Sequence, residues 1–183
     1  VFMNKTHRYG YFENETLKAI NIPYKNNRLS MCFFLPKKGK DLSSLEQKMT
    51  HEQINHWLRS METKTVKVSI PKFKNETQYD LNEILSSMGM QKAFSRIAAN
   101  FKGISPWVKD EPIYIKSVIQ KAMIEIKEKR SVAAAATILL MEETAIPDDQ
   151  IKIKKFVANR PFIYLIKDNK LNMIIFIGNT VKF

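Results

Sequence analysis

The chain has 183 residues, 44% hydrophobic and 10% aromatic, enough to bury a core and too apolar for a disordered polymer. Five glycines and seven prolines exclude a collagen-like or low-complexity composition, and the longest apolar runs, Ala133 to Met141 and Met173 to Ile177, are too short to cross a bilayer as helices. Thirty basic against eighteen acidic residues give a formal net charge of +12, which favours contact with polyanions.

The chain opens on Val1-Phe2-Met3 with no basic-then-apolar leader, so a signal peptide is expected to be absent or already removed. Three Asn-x-Ser/Thr triplets, at Asn4, Asn14 and Asn75, would accept glycans in a secreted chain. Ala19 to Tyr24 and Leu29 to Leu35 read as strands around Asn26-Asn27, a pair that tolerates positive φ in a turn. The second of these is almost continuously apolar, as in a strand covered on both faces, and it holds Cys32, expected to be a buried, inert thiol. Leu42 to Lys48 reads as a short helix. Thr50 with Gln53 has the form of a capping box, ahead of Ile54, Trp57, Leu58 and Met61 at helical spacing.

Val66, Val68 and Ile70 alternate with polar residues as a strand that stops near Pro71. Asp80 and Glu83 form a second capping pair before the apolar set Leu81, Ile84, Leu85 and Met88, with Gly89 placed as a left-handed terminator. From Pro112 to Glu128 the pattern is extended. Another strand follows at Ile151 to Val157, and the chain closes on a hairpin, Phe162 to Ile166 with Leu171 to Ile177. The lysines of Lys37 to Lys40, Lys64 to Lys74 and Lys152 to Lys155 largely alternate with apolar residues, the pattern of solvated faces on half-buried strands.

No constellation for catalysis is present. His7, His51 and His56 are scattered and have no partner cysteine at metal-ligand spacing, and no phosphate-cradling glycine loop or nucleophile elbow occurs. Glu142 and Glu143 are adjacent acids of the kind found in solvated loops. Neither cofactor nor metal is expected. Taken on composition alone, Val132 to Met141 would make a good helix.

Its neighbours change that reading. Val1-x-Met3, Gly10-Tyr-Phe12, Ile22-Pro-Tyr24, Leu29-Ser-Met31 and Leu35-Pro36 are followed in order by Leu45-Glu46, Thr50 and Trp57. Ile70-Pro-Lys-Phe-Lys74, Tyr79-Asp-Leu81, Met88-Gly-Met90, Ala93-Phe94 and Asn100 to Ser105 continue the series. Lys121-Ala122, Glu125, Ala133 to Thr137, Phe156-x-Ala-Asn-Arg-Pro-Phe162 and Ile175-Phe-Ile-Gly178 complete it. Taken together, these resemble the C-terminal half of a serpin over essentially the whole chain. The resemblance implies an α+β, mostly β fold of short helices, parts of the large central sheet and of smaller sheets, forming one partial serpin domain whose N-terminal half is missing.

It further implies a suicide inhibitor of serine proteases whose reactive-centre loop spans about 128–150. The hinge would comprise Glu128, Arg130, Ser131, Val132, Ala133, Ala134, Ala135, Ala136 and Thr137, of which Ser131 and Ala133 to Ala136 are small enough to slide into a sheet without burying bulk or charge. Family spacing from Glu128 puts the scissile bond at Thr144–Ala145, suited to an elastase-like or chymotrypsin-like enzyme rather than a trypsin-like one. Spacing from Phe156 moves the bond toward Pro147–Asp148 or Asp148–Asp149. Arg130 stands where inhibitory members usually have glycine, and Gln120 where they have histidine. The alternative is a non-inhibitory binding or structural protein. Also expected are a secreted, extracellular glycoprotein, self-association or pairing with the missing half to cover the sheet, and heparin as a polyanion at Lys64, Lys67, Lys72 and Lys74.

Overall fold

The computed structural model describes residues 1–104, 113–127 and 152–182. The chain divides into two compact units, Val1–Phe73 with Ile126–Phe183, and Lys74–Glu125.

In the first unit, β1 (Phe2–Glu13), β2 (Leu17–Pro23), β3 (Leu29–Pro36), β4 (Glu62–Pro71), β7 (Lys154–Val157), β8 (Phe162–Asp168) and β9 (Met173–Thr180) form one sheet in the order β7-β4-β1-β2-β3-β8-β9. Neighbours are antiparallel except β4 and β7, which are parallel. The expected turn at Asn26-Asn27 is present. Asn27 holds φ 55°, and its N–H donates to the Tyr24 carbonyl at 2.8 Å.

β3 is the apolar run anticipated from its composition, buried along nearly its full length. Period-two alternation sends its side chains into two cores. On one side Cys32 and Phe34 join Leu17, Ala19, Ile163 and Leu165 beneath α1 (Leu42–Glu46) and α2 (His51–Arg59), which contribute Leu45, Ile54 and Trp57. Thr50 caps α2 by accepting from the Gln53 N–H at 3.2 Å, and Asp41 caps α1 by accepting from Ser44 at 3.1 Å. On the other side aromatic rings pack edge to face: Phe33 on Phe162 at 5.8 Å and Phe73 on Phe162 at 5.7 Å, while Tyr164 stacks on Phe176 at 6.2 Å. Cys32 is buried, and that burial, against opposing effects of Lys167 and Ser30, pushes its thiol up to about 12, an unreactive protonated state.

The second unit carries most of β5 (Phe73–Asp80), then α3 (Asn82–Leu85), a π-turn at Ser86–Met90, α4 (Gln91–Phe94) and most of β6 (Ile119–Ile126). Among the described residues β5 and β6 form a two-stranded sheet. Three expectations change here. Asp80 does not cap at the third residue but accepts from the Asn82 N–H at 3.0 Å, and Leu81 occupies the cap position. Gly89, at φ 104°, kinks the helical path rather than ending it, because α4 resumes directly. The described part of the long strand expected from Pro112 starts only at Ile119. Upstream of it, Ile115 N–H donates to the Ala93 carbonyl at 2.9 Å. The Asn82 amide binds both the Lys116 carbonyl, at 3.0 Å, and the Val118 N–H, at 2.9 Å. Those backbone groups are satisfied by a helix and a side chain, not by a ladder.

Candidate functional site

The expected hinge, Glu128 and Arg130 to Thr137, and the expected bond Thr144–Ala145 lie outside the described residues. What the structure places is the strand that leads into this segment and the strand that leads out.

On the entry side β6 carries Gln120, Lys121, Ala122 and Glu125. Ala122 is half-buried, and the other three are exposed. Among the described residues β6 has β5 as its sole strand partner. Met123 is 63% exposed and Ile119 is exposed, and in the same unit Met88 and Ile97 stand 75% and 96% exposed. Ile84, of the apolar set that follows Asp80, is exposed too.

On the exit side β7 is held at every residue. Phe156 and Ala158 are fully buried, the Ala158 N–H donates to the Ser69 carbonyl at 2.8 Å, and Arg160 donates to the Pro36 carbonyl at 2.7 Å. Phe162 is fully buried as well, so Phe156, Ala158 and Phe162 of Phe156-x-Ala-Asn-Arg-Pro-Phe162 are core positions and its arginine is a clamp on Pro36.

A further tether was not visible in the sequence. The Glu13 carboxylate accepts from the Tyr11 hydroxyl at 2.9 Å. It also pairs with Lys37 at 3.2 Å, with Lys154 of β7 at 3.5 Å and with Lys18 at 3.8 Å. Lys18 also donates to the Lys155 carbonyl at 3.2 Å. Partial burial pushes the Glu13 carboxyl up, but the hydrogen bonds from Tyr11 and Lys37 and the charges of Lys18 and Lys37 outweigh it and leave the group at about 2. Burial first, and then Glu13 itself, raise the Tyr11 phenol. One acid among eighteen, with its β7 partner 141 residues away, leaves no local signal.

A pH dependence follows. A carboxyl whose folded value lies below its ordinary 4.5 stabilises the fold fully above that value and loses the contribution as pH falls toward 2. With the side chain 24% exposed, solvent screening reduces the effect. Glu13→Gln is therefore expected to cost about 1–2 kcal/mol at pH 7. The gap to the parent should narrow from pH 4.5 and close near pH 2, as read from urea midpoints across that range. A pH-independent gap would count against the tether.

Two other sets of expected site residues are placed. Asn4 and Asn14 are exposed and Asn75 is half-buried on β5. The four lysines proposed for heparin do not share one face: Lys64 and Lys67 are an odd number of residues apart on β4 and project to opposite sides. Lys64 pairs with Glu62 at 2.9 Å, and Lys74 pairs with Glu76.

Comparison with known proteins agrees with this architecture. The family model described as "Serpin (serine protease inhibitor)" matches residues 1–183. An uncharacterized serpin-like protein of Thermococcus kodakarensis is 37% identical over 176 residues, 96% of this chain and 40% of that protein. Serpin B10 of Homo sapiens is 35% identical over 182 residues, 97% of this chain and 44% of that protein. Among solved structures, one described as a tumour suppressing serpin aligns with a TM-score of 0.79 at 28% identity, covering 100% of this chain and 46% of that one. The chain belongs to the serpin family. It spans less than half the length of these relatives.

Proposed function

We propose that the chain acts as a serpin-type suicide substrate for serine proteases, presenting residues 128–150 as its reactive-centre loop with Thr144–Ala145 as the scissile bond. The observation that carries this is a run of small residues, Ser131 and Ala133 to Ala136, a few positions after β6, whose sole strand partner among the described residues is β5. A cleaved loop could return beside that strand as an added one, its backbone groups joining a ladder. Alanine and serine can enter a sheet without the desolvation cost that charged side chains carry. A small residue at the bond suits an elastase-like pocket, and the lack of a nearby arginine or lysine favours elastase-like or chymotrypsin-like enzymes over trypsin-like ones.

The test is to mix the chain with elastase, chymotrypsin and trypsin in turn and look for a covalent complex that survives SDS. A complex with elastase or chymotrypsin is expected, with loss of their activity. Cleavage in the loop by all three enzymes with no complex would rule the inhibitor out.

A second reading is favoured by the exposed Met88, Ile97 and Met123, by Arg130 and Gln120 in place of the family's usual residues, and by the span of less than half a relative. It is a non-inhibitory serpin-like protein that self-associates, or joins a second polypeptide, through those apolar side chains. Light scattering tests the self-associating form, which requires a dimer or higher oligomer of the isolated chain; a monodisperse monomer would count against it. Extracellular residence belongs to the same proposal. Expression through a secretory pathway should then add glycans at the exposed Asn4 and Asn14, read as a mass shift removed by an amidase.

A further inference from the structure

Strand register gathers charges of both signs around one cleft. Tyr11 on β1 lies across from Glu62 on β4, Tyr9 lies across from Lys64, and Lys154 of β7 lies beside Val66. Cross-strand partners share a face, as do residues two apart along a strand, which puts Glu13, Glu62, Lys64 and Lys154 on the side where Tyr11 stands. A cleft of about 430 Å³ opens among these residues, with Phe12 and Ser60 also in its lining. That volume lies in the range of small-molecule sites, about 300–1,000 Å³, and far exceeds the ~30 Å³ share of a single water.

The charges in this cleft are not equally satisfied. Glu13 has four donors around it and needs no more. Lys154 has three ammonium protons to give, but its partners among the described residues are Glu13 at 3.5 Å and the Tyr11 ring, whose centroid is 6.0 Å away. Both contacts are at the long end of their kind. Glu62 and Lys64 are exposed and pair with each other at 2.9 Å. The hydrogen bond and charge of Lys64 hold the Glu62 carboxyl below its ordinary range, so it is ionised at neutral pH. An exposed pair of this kind adds little to stability and can be re-paired with a ligand at small cost.

We infer that the cleft binds a small zwitterion of dipeptide size, its carboxylate held between Lys64 and Lys154, its ammonium on the Glu62 carboxylate, and the Ser60 hydroxyl adding a hydrogen bond. A simple anion would face Glu62 unpaired, and a simple cation would face Lys64 and Lys154. A ligand that carries both charges meets neither penalty. Its length follows from β4: Glu62 and Lys64 are two residues apart, about 7 Å along an extended strand. The two ends of an extended dipeptide are separated by about the same distance, whereas a single amino acid is too short to reach both. Tyr11 and Phe12 offer ring surface to an apolar side chain of the ligand.

The test follows amide chemical shifts of the isotope-labelled 183-residue chain with three probes. These are alanyl-phenylalanine, its N-acetyl form without the ammonium, and its amide without the carboxylate. The dipeptide should shift the amides of Tyr11, Phe12, Ser60 and Lys154, and each blocked form should bind about tenfold or more weakly. Glu62→Gln should weaken the dipeptide about tenfold and leave the N-acetyl form unchanged, while Lys64→Gln should weaken the dipeptide and leave the amide unchanged. Both residues are exposed, so the variants should keep the parent's circular dichroism, and Glu52→Gln, exposed on α2, serves as a control that leaves binding intact. No shifts at about 10 mM dipeptide, or shifts confined to other residues, would overturn the site. Equal binding of the dipeptide and either blocked form would overturn the zwitterion, as would equal losses in Glu62→Gln and Glu52→Gln.

Discussion

Replacing Gly178 by alanine is expected to lower the stability of the folded chain by about 3 kcal/mol, a larger loss than most single substitutions cause. Gly178 on β9 stands directly across from Tyr164 on β8, and the tyrosine ring lies over the glycine. A Cβ added there would meet the Tyr164 Oη at 2.7 Å and Cζ at 2.8 Å, both inside van der Waals contact. The ring has nowhere to retreat, since it is 2% exposed and packs against Phe73 at 5.4 Å, Phe162 at 6.4 Å and Phe176 at 6.2 Å. Overpacking must therefore shift a cluster of rings or the β8–β9 backbone. Urea denaturation of Gly178→Ala measures the loss. Pairing it with Tyr164→Leu should return part of it, because residues in direct contact do not add. A Gly178→Ala cost under about 0.5 kcal/mol, the range of an ordinary surface change, would show that the ring moves aside freely.

The same glycine shows what was legible in the sequence. Its place in Ile175-Phe-Ile-Gly178 was recognisable as a motif, but the tyrosine that requires it stands fourteen residues earlier and carries no mark of the contact. Strands with two buried faces or clean alternation, β3 and the Val66 to Ile70 part of β4, could be read because burial writes its period into residue type. β5 could not: Phe73 is buried but the rest, Lys74 to Asp80, is polar, and it is a strand because β6 pairs with it. The reverse holds upstream of β6, where Ile113 and Ile115 alternate like a strand while Asn82 and Ala93 take the backbone bonds. Of the proposed site, the small-residue run is local and so readable from composition, and it lies outside the described residues. The Glu13 tether depends on register between distant strands, which composition does not encode.

Register also decides how the proposed loop insertion should be tested, and the expected result is a loss of complex with period two. If residues Ala133 to Ala136 enter a sheet as a strand, successive side chains point to opposite faces. A single glutamate at one parity, Ala133 and Ala135 or Ala134 and Ala136, must then be buried without a partner, at a cost of several kcal/mol. At the other parity it reaches the opposite face. Glutamate at the buried parity should convert the chain from inhibitor to substrate, cutting SDS-stable complex with elastase by tenfold or more while leaving the rate of loop cleavage nearly unchanged. The other parity should retain most of its complex. Arg130→Gly is expected to act in the opposite direction, raising the share of protease trapped, because glycine frees the backbone where the loop must turn and removes a charge from its path. Had the run been a helix that stays a helix, as its alanine and leucine content alone suggests, no alternation would arise. Four glutamate variants that trap protease equally well would therefore remove insertion from the mechanism, whatever the parent chain does to elastase.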